Sequence, residues 1–497
     1  HLSDRRQRQM CIRDSPSGAV LHEEEHDEHE EEEHHEEDMG FINNSDYAVE
    51  ATKFGISKVG DWGYVGISVD NLESVYGIPF HGDEHEDEHG DDHDDDHGDD
   101  HGDEEEHEEH GDERIFSTTD SESTTIKGSY NVNGNLINKV DFTYRNSDYT
   151  LTEAHEEEEG HDDHGDEEEH APTVFMNEAT EYGAIFDISN DISTQKVVFN
   201  IVDEDNSIVG EEAFMNPANN EEFTIGYYLS RELNLFNVDV GMRVDQIERS
   251  GSVTDEDHGD IDYYNIDDTA NSFAVSIGRD LSDSLSLSLG FASVERLPSV
   301  IELFMNGPHM ATGRFEVGDP TLSSETSENF DITLNYEKDG FYAYASFYVT
   351  DVDNYIALID EEDDHHDEDE HHEDEDEHHE DEDGHDEHDH GNLIHANYMQ
   401  EDAEFDGYEF EFGKSFDLDS GVLNLSYGRD VVNAEFSDGH YVPRINPARN
   451  VYSLSYKQNN MVFKLNLKDV DKQSDIGEGE SITCLLYTSD AADDLRG

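Results

Sequence analysis

The chain has 497 residues, with 129 Asp and Glu against 27 Lys and Arg and a formal net charge of -102. Such a surface repels nucleic acid and anionic lipid headgroups and gathers cations. No apolar run reaches the ~18 residues of a transmembrane helix, and Cys11 and Cys484 alone supply neither a disulfide framework nor a thiolate metal site.

In chain order, residues 1–15 are basic and unlike the rest of the chain. They and residues 484–497 resemble translated adapter read-through, and both read as non-native tails. The first of four tracts of nearly pure His, Asp, Glu and Gly spans 22–38, within a partial external loop at 16–38. The others span 81–113, 153–170 and 360–390, and read as disordered insertions in a body at 39–483. Together the tracts hold 26 of the 31 histidines and 64 of the 129 acidic residues.

Between the tracts the chain alternates with the period of a strand. Val140, Phe142 and Tyr144 alternate with Asp141, Thr143 and Arg145. Phe236, Val238, Val240 and Met242 do the same with Asn237, Asp239 and Gly241, and Leu285, Leu287, Leu289 and Phe291 with serines and Gly290. About sixteen such strands are counted, each near ten residues. They begin near 45, 61, 119, 135, 173, 195, 222, 234, 269, 284, 327, 341, 394, 421, 447 and 461.

Their connections alternate between short turns, such as Ser230–Leu233 and Glu337–Gly340, and long ones, such as 74–118, 151–172, 297–326 and 358–393. That asymmetry belongs to outer-membrane barrels, with external loops longer than periplasmic turns. The expected fold is therefore all-β, a transmembrane antiparallel barrel with long acidic His-rich external loops. A soluble sandwich or propeller would not alternate its connections this way.

Imidazole interleaved with carboxylate suits a divalent transition metal, whereas carboxylate alone suits calcium or magnesium. His81, His85, His89, His93, His97 and His101 recur every four residues and are candidate ligands. Gly and Asp oppose a helix there, and like charge extends the loop. His22-Glu23 with His26, and His85-Glu86 with His89, fit the zinc-protease pattern only by chance, because that chemistry needs a buried helix and a third fixed ligand. No enzymatic activity or resident cofactor is expected. A plain acidic shield bridged to lipopolysaccharide by calcium is the competing use of the tracts.

The segment Arg296-Leu-Pro-Ser-Val-Ile-Glu-Leu303, with Asn306-Gly-Pro-His309 and the run to Pro320, resembles the barrel of TonB-dependent outer-membrane receptors. Tyr76-Gly-Ile-Pro-Phe-His81, Gly210-Glu-Glu-Ala-Phe214 and His309 resemble the zinc-uptake branch of that family. The resemblance implies a barrel of about 22 strands around a plug, of which this chain would carry about sixteen. The TonB box, the plug and the last strand would lie outside it. It further implies a monomer in the outer membrane of a Gram-negative bacterium, contacting lipid, lipopolysaccharide and the TonB complex. Zinc or a similar divalent cation is the implied cargo, with Glu211, Glu212 and His309 as fixed ligands. Haem or a metal chelate is an alternative cargo, and a non-transporting adhesin or porin is an alternative class.

Overall fold

A computed structural model describes residues 45–78, 114–156, 172–210, 213–255, 259–309, 312–361, 393–477, 480 and 486–495. All belong to one compact unit, residues 43–497. Ten strands come first. They are β1 (Tyr47–Gly60), β2 (Gly63–Gly77), β3 (Arg114–Asn131), β4 (Lys139–Glu156), β5 (Thr173–Asp187), β6 (Thr194–Val209), β7 (Ala218–Leu233), β8 (Phe236–Thr254), β9 (Ile261–Ser282) and β10 (Leu285–Arg296). An excursion follows, with helix α1 (Val300–Phe304) and short strands β11 (Asn306–His309) and β12 (Arg314–Val317). The wall resumes with β13 (Glu325–Lys338), β14 (Phe341–Asp360), β15 (Ile394–Leu418), β16 (Gly421–Phe436), β17 (Arg449–Gln458), β18 (Met461–Val470) and β19 (Leu486–Leu495).

Each wall strand pairs antiparallel with the next, and β10 passes over the excursion to pair with β13. The sixteen strands expected from alternation are β1–β10 and β13–β18. The excursion adds β11, β12 and α1, and β19 forms within the segment read as a foreign tail, paired with β18. The expected break at Ser230–Leu233 is corrected: β7 runs on to Leu233, paired with Phe236, and the turn is Asn234-Leu235. Polar side chains do not stop a ladder whose hydrogen bonds are made by backbone.

Tight turns join the odd strand of each early pair to the next, as at Asp61-Trp62. At Asp339-Gly340 both residues take positive φ, 50° and 75°, the geometry of a primed hairpin turn that matches the strand twist. The opposite ends of the strands carry the long connections, including the places of the three internal tracts. The tracts at 22–38 and 81–113 lie outside the described residues, as does most of 153–170 and 360–390; β4 continues through Glu156 and β14 reaches Asp360.

Period-two alternation gives the wall two faces. Outward, Ile67, Ile126, Tyr144, Tyr182, Ile201 and Phe223 pair directly in a row across β2 to β7. Leu289, Ile332, Phe347 and Tyr408 continue an apolar row on β10, β13, β14 and β15. Phe347 is 55% exposed and Tyr182 53%, which in water would be costly and in lipid is favourable. Inward positions are polar and bonded to one another: Thr224 Oγ1 donates to Asp245 at 2.6 Å, and Tyr342 and Tyr344 donate to Glu411 and Glu409 at 2.6 Å. Strands of up to 25 residues exceed the ~9–11 that a tilted crossing needs. No described helix is long and apolar enough to cross a membrane.

Candidate metal-receiving site at the barrel mouth

Arg296 ends β10 and Pro298 follows, so the chain leaves the wall there. Ser299 then caps α1, its side chain accepting from Glu302 N at 3.3 Å while Glu302 accepts from Ser299 N at 2.6 Å. Glu302 also receives both contacts of Arg296 Nη1, at 3.1 and 2.8 Å. Arg296 Nη2 donates to Glu325 at 2.9 Å, and Glu325 accepts from Ile356 N at 3.2 Å. One guanidinium therefore ties the helix to the roots of β10, β13 and β14.

The helix packs inward. Leu303 and Phe304 are fully buried in a cluster with Ile208, Phe214, Met215, Val300 and Ile356. Phe304 stacks on Tyr264 with centroids 6.1 Å apart. It also covers Gly251, where a Cβ would meet the ring at 2.4 Å, so only glycine fits. Asn306 N donates to Phe214 O at 2.7 Å, and Asn306 Nδ2 donates to Thr254 O at 2.9 Å. Gly307, at φ 154°, passes so close to Phe214 that a Cβ would lie 3.0 Å from its Cα.

β11 and β12 form a hairpin that sets His309 beside Glu316. His309 Nδ1 lies 3.0 Å from Glu316 Oε1, and Thr312 Oγ1 donates to the same oxygen at 2.8 Å. The imidazole lies against the Phe214 ring at 4.6 Å. A carboxylate on Nδ1 orients the ring and leaves Nε2 as the nitrogen for a metal ion, the usual support for a histidine ligand. Burial pushes the Glu316 carboxyl up, but hydrogen bonds from His309 and Thr312 and the charges of His309 and Arg314 bring it net below the usual carboxylate range. Arg314 grips Asp360 through two contacts of 2.7 Å and is held more firmly charged by them. The hairpin is thereby fastened to the residue where the 360–390 tract begins.

Beside the hairpin lies a cavity of about 470 Å³ lined by Asp255, Asp262, Tyr264, Asn306, Phe315 and His395, among others. Its volume admits a hydrated ion, since each water takes ~30 Å³. Among the described residues no three His, Cys, Asp or Glu side chains converge on one metal position. His309 and Glu316 are thus a partial donor set. Glu211 and Glu212 lie outside the described residues, as do His81, His85, His89, His93, His97 and His101. Phe214, which packs on His309, follows Glu212 by two residues in sequence. Sequence reasoning missed Glu316, Arg314 and His395. Gly313, at φ 63°, is a local signal that residues 306–317 double back.

Residues 58–477 match the TonB dependent receptor-like, beta-barrel family, and the chain belongs to that family. Its members are receptors and transporters of the Gram-negative outer membrane that bind a ligand and work with TonB. Solved structures share the fold. The copper transporter OprC is 12% identical at TM-score 0.58, over 91% of this chain and 72% of its own. The Serratia marcescens hemophore receptor HasR, solved with its hemophore HasA and heme, is 10% identical at TM-score 0.58, over 90% and 67%. The FrpB iron transporter from Neisseria meningitidis is 12% identical at TM-score 0.57, over 90% and 65%. This chain therefore spans about two thirds of their lengths.

Proposed function

We propose that this protein is a TonB-dependent receptor that takes up a divalent metal ion, zinc foremost, and that its His-rich external loops capture the ion. The carrying observation is the interleaving of 26 histidines with carboxylate in four tracts, three of them on long connections at the same strand ends as the connection that bears the His309–Glu316 hairpin. Many weak ligands in the tracts supply capacity, and the hairpin supplies a fixed imidazole for hand-over, with Glu211 and Glu212 as the further candidate ligands. The same charge disfavours haem, whose propionates the tracts would repel.

The test is growth. A strain deleted for its own zinc receptor and carrying the complete gene should grow under zinc limitation. Restored growth on haem with none on zinc would overturn the proposal.

A further inference from the structure

On the outward face of the wall, charge is sorted by height. Toward the long connections, carboxylates pair directly across strands. Asp203, Glu221, Glu248 and Asp267 form one row over β6 to β9. Glu328, Asp351, Glu404 and Glu435 form another over β13 to β16. Period-two alternation puts them on the face of the apolar rows, as Glu221 with Phe223. Carboxylates this dense do not enter hydrocarbon, so the bilayer ends below them.

Toward the tight turns the outward charge changes sign. Lys58 of β1, Arg231 of β7, Arg279 of β9, Lys338 of β13 and Lys414 of β15 continue the alternation of Ile56, Leu229, Ile277, Tyr336 and Phe412. Each precedes its turn by five residues or fewer. Among the described residues no wall strand carries an outward Asp or Glu at this end; aspartates such as Asp61 and Asp339 stand in the turns beyond. Lys58, Arg231 and Lys338 are exposed and make no ion pair among the described residues. Arg279 lies over the Phe236 ring at 5.4 Å, and Lys414 donates to Asp339 O at 2.7 Å. Arg429 is an outward cation toward the other end, and there it is neutralised by Asp471 at 2.7 Å.

Trp62, the sole tryptophan of the chain, marks the same level as Lys58. It lies in the β1–β2 turn, and a Cβ on Gly60 would meet its indole at 2.7 Å. Gly60 shares the outward face with Lys58, so the indole covers that face beside the lysine. The indole also packs on Tyr130 with centroids 6.4 Å apart. Trp and Tyr beside cations compose a headgroup interface.

We propose that the outward cations at the tight-turn end dock the phosphates of anionic phospholipid in the periplasmic leaflet. Charge complementarity selects this occupant. Lys and Arg lay their stems along the apolar wall and carry their charges to headgroup level. An anionic lipid surface then favours each such cation by about fivefold in affinity. The acidic rows repel the same lipid at the other end, so the two ends together set the direction and depth at which the barrel sits.

Trp62 reports this contact directly. The full chain is reconstituted in phosphatidylcholine vesicles carrying a minor fraction of brominated phosphatidylglycerol or, in parallel, brominated phosphatidylcholine, and quenching of Trp62 emission is measured. The expected result is an association constant about fivefold higher for the brominated phosphatidylglycerol. Lys58→Gln should remove that preference and Lys58→Arg should keep it. Arg279→Gln, eight strands along the sheet, should leave it intact. High salt should weaken the preference of the unaltered chain by screening. Equal quenching by the two lipids would overturn the proposal, as would a preference that survives Lys58→Gln or is insensitive to salt.

Discussion

At the residue scale Arg296 has the largest consequence, because two carboxylates depend on it. Removing one partner of a buried pair leaves uncompensated charge. Glu302 and Glu325 keep only 10% and 4% of their side-chain surface, while Arg296 keeps 34%. Arg296→Ala should therefore cost about 3 kcal/mol, near the low end for buried pairs because the guanidinium is partly hydrated. Hydrogen exchange would show it as lost protection over 299–317 with the wall strands unchanged; uniform protection in the variant would refute the tie. Phe304→Ala should open the same segment by about 3–5 kcal/mol through cavity formation, without altering any charge. Arg296 and Ser299 lie in the 296–303 segment that resembles the receptor family, but the capping box of Ser299 and Glu302 emerges only in the structure. The importance of Glu316 was not legible either, because its partnership with His309 exists only after the hairpin at Gly313 closes.

At the element scale the wall strands were legible for one reason: membrane outside and polar lumen inside force strict alternation, as in Leu285 to Phe291. The excursion was not, because α1 has five residues and β11 and β12 four each, too short for any period to register. Their positions come instead from tertiary contacts such as Phe304 on Gly251. The tracts act at this scale as well. Deleting 81–113 should raise the zinc concentration for half-maximal uptake and leave the maximal rate intact, measured with radiolabelled zinc; a loss of maximal rate would instead assign the tract to the transport path. Imidazole binds metal only when neutral, and neighbouring carboxylates favour its protonated form. Capture by a peptide of 81–113 should accordingly weaken as pH falls below about 6, near the ordinary histidine pKa. Calorimetry showing equal zinc affinity at acid and neutral pH would contradict this.

At the scale of the whole molecule the outward apolar rows decide where the barrel resides. Phe347→Arg places a charge on that face and should cost about 2–4 kcal/mol near the bilayer midplane. Folding titrations into lipid vesicles would read the loss, and an unchanged midpoint would mean that Phe347 does not meet lipid. Under the proposed function capture and admission would lie in series. The acidic tracts would gather cations, the Arg314–Asp360 clasp fastens the hairpin to the residue where one tract begins, and His309 would receive the ion.

The proposed series would conduct a divalent metal ion into the barrel. Uptake of radiolabelled zinc by receptor-deleted cells carrying the complete gene measures this conduction. TonB-dependent zinc uptake is expected, falling at least several-fold on His309→Ala while the barrel still assembles in the outer membrane. Zinc uptake no greater than in the deleted strain, alongside active uptake of haem or a ferric chelate, would contradict it.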